Sequence, residues 1–186
     1  MPRLFEYLAS ILLIIFISPL LLVLVISIKI SSKGPILHWS KRVGLNNSVF
    51  LMPKFRSMVL ETPNLATHLL DKPELYVTRF GSLLRKTSLD ELPQLWSIIK
   101  GDMKFVGPRP ALYNQFDLIQ MRSAVGVDRI KPGITGLAQV RGRDAIGLRK
   151  KVKYDLFYAK NSRCGLDVFI VMQTLSQAVK PKNVKH

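Results

Sequence analysis

YLASILLIIFISPLLLVLVISI, Tyr7 to Ile28, is a run of 22 uncharged residues bounded by Glu6 and Lys29. A straight helix of that length covers about 30 Å, the thickness of a bilayer's hydrocarbon core. A cleaved signal peptide does not fit: the apolar part is too long, its leading flank is barely basic, and no small-x-small site follows Ile28. Ser18-Pro19 interrupts the run near its middle. Pro19 lacks the N–H that would bond the carbonyl four residues earlier and crowds that carbonyl, so a kink is expected. Two arrangements follow. One is a spanning helix with a tolerated proline. The other is a re-entrant helix that enters and leaves on one face, with Ser18 bonding back to the carbonyl that Pro19 frees.

Outward from this segment the chain turns strongly basic. The formal charge is +16 over 186 residues. Arg3 and Glu6 cancel within residues 1–28, so the whole excess lies beyond them. A surface of that sign suits polyanions: anionic lipid headgroups, phosphorylated substrates or nucleic acid. It also places the remainder on the cytoplasmic side of a membrane. Apolar residues make up 48% of the chain, enough for a real core. Cys164 is the single cysteine, so no disulfide within the chain is possible and a reducing compartment fits.

Past the breaker Ser31 to Pro35, Ser48 to Phe55 reads as a short strand or extended piece. Glu61 to Pro73 reads as a loop with one helical turn. Leu92, Leu95, Trp96 and Ile99 recur at helical spacing, and a helix is expected over Ala111 to Met121. Lys131 to Gly136 is a turn-rich loop. Leu148 to Asn161 is a basic amphipathic helix with Leu148, Val152, Leu156 and Ala159 on its apolar face. Leu166 to Val179 is a final helix. The expected fold is mostly α with a few short strands, an α+β chain of a membrane segment (residues 1–30) and a second unit (residues 31–186).

The chemistry concentrates in TSLDELPQLWSIIKGDMKFVGPRP, Thr87 to Pro110. Ser88 and Glu91 fit a capping box, which puts Asp90 in a first helical turn where unpaired N–H groups favour anions. Pro93 complicates that start, and acids in first turns are often purely structural. Arg109 lies between two prolines, so its backbone is stiff and its planar guanidinium can be aimed at a phosphate. Lys54 and Arg56 share one side of the possible strand. Arg85 and Lys86 precede the acid pair. Acids with several cations suggest a phosphate substrate and Mg²⁺. His38, His68 and His186 have no metal-ligand spacing, and neither Gly-x-x-x-x-Gly-Lys nor Gly-x-Gly-x-x-Gly is present. Aromatic residues are not interleaved with the basic ones, which argues against nucleic acid. A non-catalytic membrane adaptor binding acidic lipids would explain the charge and the anchor, but gives the acid pair and the Pro-Arg-Pro turn no purpose.

Leu89-Asp90-Glu91-Leu92-Pro93-Gln94-Leu95, Lys100-Gly101-Asp102-Met103, Gly107-Pro108-Arg109-Pro110, Pro132-Gly133-Ile134-Thr135-Gly136 and Gly142-Arg143 follow in that order. Together they resemble the bacterial sugar transferases, the small monotopic phosphoglycosyl transferases, from about Leu4 to Ala178. The resemblance implies transfer of a sugar-1-phosphate from a UDP-sugar to a polyprenol phosphate, usually undecaprenyl phosphate, with release of UMP. It implies Asp90 as the covalent nucleophile, Glu91 assisting in Mg²⁺ and proton work, and both acids at the metal. Lys54, Arg85, Arg109 and Arg143 would contact phosphates or nucleotide, and Asp167 would be a further polar site position. It also implies a re-entrant N-terminal helix broken at Ser18-Pro19, both termini on the cytoplasmic side of the bacterial inner membrane, and a catalytic domain at the interface. A homodimer is compatible with such an anchor. Lys104 and Arg141 depart from the family pattern, where Ser and Asn are common, and each adds positive charge. The sugar and the glycan pathway are not readable from the chain.

Overall fold

The computed structural model describes residues 2–60, 62, 75–142 and 145–179. Apart from Thr62, the expected loop over Glu61 to Pro73 lies outside the described residues, as does the candidate Arg143.

Helix α1 (Arg3–Ser31) contains the whole apolar run, with Pro19 inside it. The carbonyl that Pro19 cannot bond is that of Ile15, and the Ser18 hydroxyl donates to it at 2.8 Å. Helical structure therefore continues through the interruption, because the freed acceptor has a local donor. Most of the helix is exposed and apolar, Phe16, Leu12 and Leu22 among its residues. Among the described residues it is the one helix long and apolar enough to cross a membrane.

The opposite stripe of α1 lies along the rest of the protein. Ile14 and Ile17 pack on Met52, Leu95, Ile98 and Met103. Leu21, Leu24, Val25 and Ile28 pack with Phe55 and Leu84. Both ends are tied down. At the start, Glu6 is buried with Lys104 as its leading cation, and Arg3 reaches Gly101, where a Cβ would come within 3.1 Å of its guanidinium. At the finish, Arg56 donates to the Ser32 carbonyl at 2.9 Å and to its hydroxyl at 2.6 Å. Lys104, one of the two departures named above, places positive charge near Glu6 at the N-terminal end of α1. Arg56 does not join Lys54 as the strand spacing suggests; it fastens the end of α1.

Strands β1 (Leu37–Val43) and β2 (Val49–Phe55) form an antiparallel hairpin with His38 opposite Lys54 and Ser40 opposite Met52. Opposite residues share a face. On this face Met52 packs with Leu95 and Ile98 of α3 (Leu95–Lys100) and Lys54 reaches Glu91 of a 3-10 turn (Leu89–Gln94), while Leu37 and Phe55, on the other face, pack with Leu84 of α2 (Arg79–Thr87). Strand β3 (Lys104–Val106) then pairs in parallel with β4 (Gly133–Thr135), and α4 (Phe116–Ala124) lies in the crossover. Short α5 (Leu137–Val140), α6 (Leu148–Asn161) and α7 (Cys164–Val179) complete the chain. The fold is mostly helical with four short strands among the described residues.

Several local expectations are corrected. Ser88 does not cap a helix; it closes α2 in a left-handed conformation (φ 58°, ψ 18°), and its side chain makes no cap bond. Pro93 has no N–H for an α-helical first turn, and the tighter 3-10 turn is what forms. The helix expected from Ala111 starts at Phe116, because residues 111–113 run along β1 instead. The Val43 N–H donates to Ala111, and the Tyr113 N–H donates to Lys41. Residues 131–136 hold β4 rather than a loop. Gly133 lies so close to β3 that a Cβ would stand 2.1 Å from the Gly107 nitrogen. In α3 the buried residues are Leu95, Ser97 and Ile98, while Trp96 is half exposed. In α6 the buried stripe is Val152, Asp155 and Tyr158 rather than the all-apolar one.

Candidate active site

Three elements converge on the acid pair. The 3-10 turn supplies Asp90 and Glu91, the end of β2 supplies Lys54, and the Gly-Pro-Arg-Pro segment after β3 supplies Arg109. The hairpin register decides which way Lys54 points, since it shares a face with buried Met52.

Glu91 is held from two sides. Lys54 Nζ donates to its Oε1 at 2.8 Å. Arg109 donates through Nη2 to Oε1 at 2.5 Å and through Nη1 to Oε2 at 3.4 Å, a fork-on-fork contact. Asp90 is buried and is met by Lys54 only at 4.0 Å. The two neighbouring carboxyls are therefore set apart electrostatically. Burial opposes ionisation of Glu91, but Arg109 and Lys54 overcome it and hold its pKa well below the usual carboxylate range. Burial raises the Asp90 pKa, with Lys54 opposing and the Glu91 charge adding to the rise. Burial lowers the Lys54 pKa, and Glu91 opposes that shift.

Arg85 also contributes positive charge at Asp90, and its Nη1 lies 3.2 Å from the Met58 sulfur. Asp167 is placed elsewhere. It is buried on α7, where the Tyr158 hydroxyl lies 2.7 Å from Asp167 Oδ1 and 3.1 Å from the Val106 carbonyl. Ser18 and Pro19 are in α1, away from this cluster in sequence and at the apolar surface. The structure thus brings together Asp90, Glu91, Lys54, Arg109 and the charge of Arg85.

Sequence reasoning missed Arg42. It lies on the Lys54 face of the hairpin, and its Nη1 donates to the Pro110 carbonyl at 3.2 Å. It also missed the buried pair Arg122–Asp155, which joins α4 to α6 at 2.7 Å. Neither pair of partners is close in sequence, and no local pattern announces them. Among the described residues no group of three or more His, Cys, Asp or Glu forms a metal cage. Asp90 and Glu91 carry hard oxygen donors of the kind Mg²⁺ takes alongside waters and substrate phosphates, and both Glu91 oxygens here accept from Lys54 and Arg109.

The chain matches the family model described as bacterial sugar transferase over residues 1–181. It is 37% identical over 175 residues to the UDP-N-acetylgalactosamine-undecaprenyl-phosphate N-acetylgalactosaminephosphotransferase of Aeromonas hydrophila, covering 91% of this chain and 41% of that protein. It is 36% identical to the undecaprenyl-phosphate glucose phosphotransferase of Komagataeibacter xylinus, covering 97% of this chain and 36% of that protein. With the uncharacterized sugar transferase EpsL of Bacillus subtilis it shares 35% identity, covering 100% of this chain and 90% of that protein. The chain spans about two fifths of the length of the first two relatives. The ordered motifs, the clamped acid pair and these matches agree: the chain belongs to the bacterial sugar transferase family.

Proposed function

We propose that this protein transfers a sugar-1-phosphate from a UDP-sugar to undecaprenyl phosphate or a similar polyprenol phosphate, releasing UMP. The relatives named for such transfers support the substrate classes. The observation that carries the chemistry is the unequal treatment of two adjacent acids: among the described residues Glu91 is clamped between two cations, while Asp90 has one long ion pair, to Lys54.

In this reading an ionised Asp90 oxygen attacks the phosphorus that bears the sugar. The bond from that phosphorus to the oxygen bridging to UMP breaks, and UMP leaves with the bond's electron pair. An acyl phosphate joins Asp90 to the sugar phosphate. A polyprenol phosphate oxygen then attacks the same phosphorus, the Asp90 carboxylate departs, and a diphosphate-linked lipid sugar remains. Splitting the transfer lets two bulky anions use one site in turn. Glu91 is a poor nucleophile here, because its oxygens already accept from Lys54 and Arg109. Its role is to hold those two cations where they offset charge on the transferring phosphoryl group. Asp90 and Glu91 are the carboxylates that would hold Mg²⁺, which supplies further neutralisation of the donor's diphosphate when bound.

The anchor suits an acceptor confined to lipid. Both ends of the helix contact the same domain, Arg3 near Gly101 and Ser32 through Arg56. That supports a re-entrant, monotopic seat in the cytoplasmic membrane, with Ser18 satisfying the acceptor freed by Pro19. A panel of UDP-sugars with Mg²⁺ and polyprenol phosphate tests the function. One donor is expected to give UMP and a lipid-linked product. No UMP from any donor would favour a membrane adaptor.

A further inference from the structure

Arg122 and Asp155 lie 33 residues apart in sequence and meet in the interior. Asp155 Oδ2 accepts from Arg122 Nε at 3.0 Å and from Nη2 at 2.7 Å. Two donors on one oxygen fix the plane of the guanidinium. Its remaining nitrogen, Nη1, donates to the Arg109 carbonyl at 2.8 Å. On the next residue Arg42 Nη1 donates to the Pro110 carbonyl at 3.2 Å. Two consecutive carbonyls of the Gly-Pro-Arg-Pro segment are therefore held by arginines from α4 and β1.

This arrangement completes what the prolines begin. Pro108 and Pro110 fix their own φ angles, and Pro110 restricts Arg109 to extended conformations. The direction of the Arg109 carbonyl remains to be set, and Arg122 sets it. A buried ion pair is seldom more stable than well-packed apolar side chains of the same volume. An apolar pair would lack the third donor, which is the part that reaches the site.

We propose that Arg122 and Asp155 are positioning residues, acting through the Arg109 main chain to keep the Arg109 guanidinium on Glu91. The proposal rests on the transferase reading above for its kinetic consequence, and on geometry alone for its structural one. Arg122 touches no acid of the site; it works by orienting a residue that does.

The test is a double-mutant cycle with a substrate-free readout beside it. Arg122→Met with Asp155→Leu replaces the pair by apolar side chains. Arg122→Lys keeps a cation beside Asp155 but loses the planar third donor, and serves if the first variant does not fold. In otherwise native protein either change is expected to lower kcat/KM for UMP release, by on the order of 10²-fold for the apolar pair. In an Arg109→Ala background the same change is expected to have little further effect. An equal loss in both backgrounds would overturn the proposal. In parallel, ¹⁵N-arginine side-chain NMR follows the Arg109 guanidinium without substrate. The Arg109 signals are expected to change from clamped to freely rotating in either variant, and unchanged signals would overturn the proposal. If native protein releases no UMP from any donor, the transferase reading falls while the NMR experiment still decides the positioning role.

Discussion

The Arg109 guanidinium and the Glu91 carboxylate meet with two donors on two oxygens, and Lys54 closes the other side of the same carboxylate. The two acids of the pair consequently differ in what they can do. Replacing Arg109 by Lys keeps the charge and loses the fork. A fall in kcat/KM for UMP release of about 10- to 100-fold is expected, with Arg109→Ala lower still. Equal activity of Lys and Arg at this position would show that the fork has no part in the reaction.

The pH dependence follows from Asp90. Burial raises its pKa, and Lys54 is the largest charge opposing that rise. In the proposed mechanism Asp90 attacks as the carboxylate, so activity is expected to be full above this pKa and to fall as pH drops through it. The acid limb is therefore expected above the range in which a free aspartate titrates. Lys54→Met should move the limb to higher pH and lower activity at neutral pH. Profiles of kcat/KM against pH check this, and an unmoved limb would contradict it.

Stability against pH has opposite signs for the two acids. The Glu91 pKa is depressed, so its contribution is complete above the ordinary glutamate value and is lost as pH falls through its own lower value. The Asp90 pKa is raised, so its ionisation costs stability that is recovered as pH falls through that raised value. Glu91→Gln should therefore flatten the acid side of a plot of Tm against pH, and Asp90→Asn should raise Tm near neutrality. A lower Tm in Asp90→Asn at neutral pH would contradict the burial argument.

In the membrane segment, Ser18→Ala leaves the Ile15 carbonyl without the donor seen here, at a cost of about 1–3 kcal/mol. Pro19→Ala restores a main-chain donor to that carbonyl. The Ser18→Ala cost should then disappear in the Pro19→Ala background. Thermal unfolding of the four proteins in detergent measures this, and an undiminished cost would separate Ser18 from Pro19.

Topology gives an independent check on the anchor. A cysteine at Arg3 and another at Lys33 should both react with a membrane-impermeant reagent only from the cytoplasmic side. Labelling of the Arg3 position from the outer side would exclude the re-entrant seat.

What the sequence shows of this site depends on the range of the interactions. The acid pair, Lys54 and Arg109 are legible because each lies in a short motif with its own stereochemistry. The ends of α6 are legible because its charge and breakers are local. The capping box at Ser88 fails because Pro93 disfavours an α-helical first turn and Glu91 is drawn away to Lys54 and Arg109. The start of α4 is displaced because β1 competes for the main chain of residues 111–113. Arg122 has no readable pattern, since both its partners are fixed only by the packing of α4, α6 and β3. The α6 stripe is misread for the same reason, with Asp155 inside because Arg122 is there to meet it.

The proposed covalent intermediate on Asp90 can be trapped in one experiment that leaves out the acceptor. Purified protein is mixed with Mg²⁺ and the UDP-sugar it accepts, no polyprenol phosphate is added, and the protein is quenched for mass spectrometry. A mass increase of one sugar phosphate on the peptide containing Asp90, with a matching burst of UMP, is the predicted result. Both should be absent in Asp90→Asn. Substantial turnover by Asp90→Asn when the acceptor is restored would contradict the assignment.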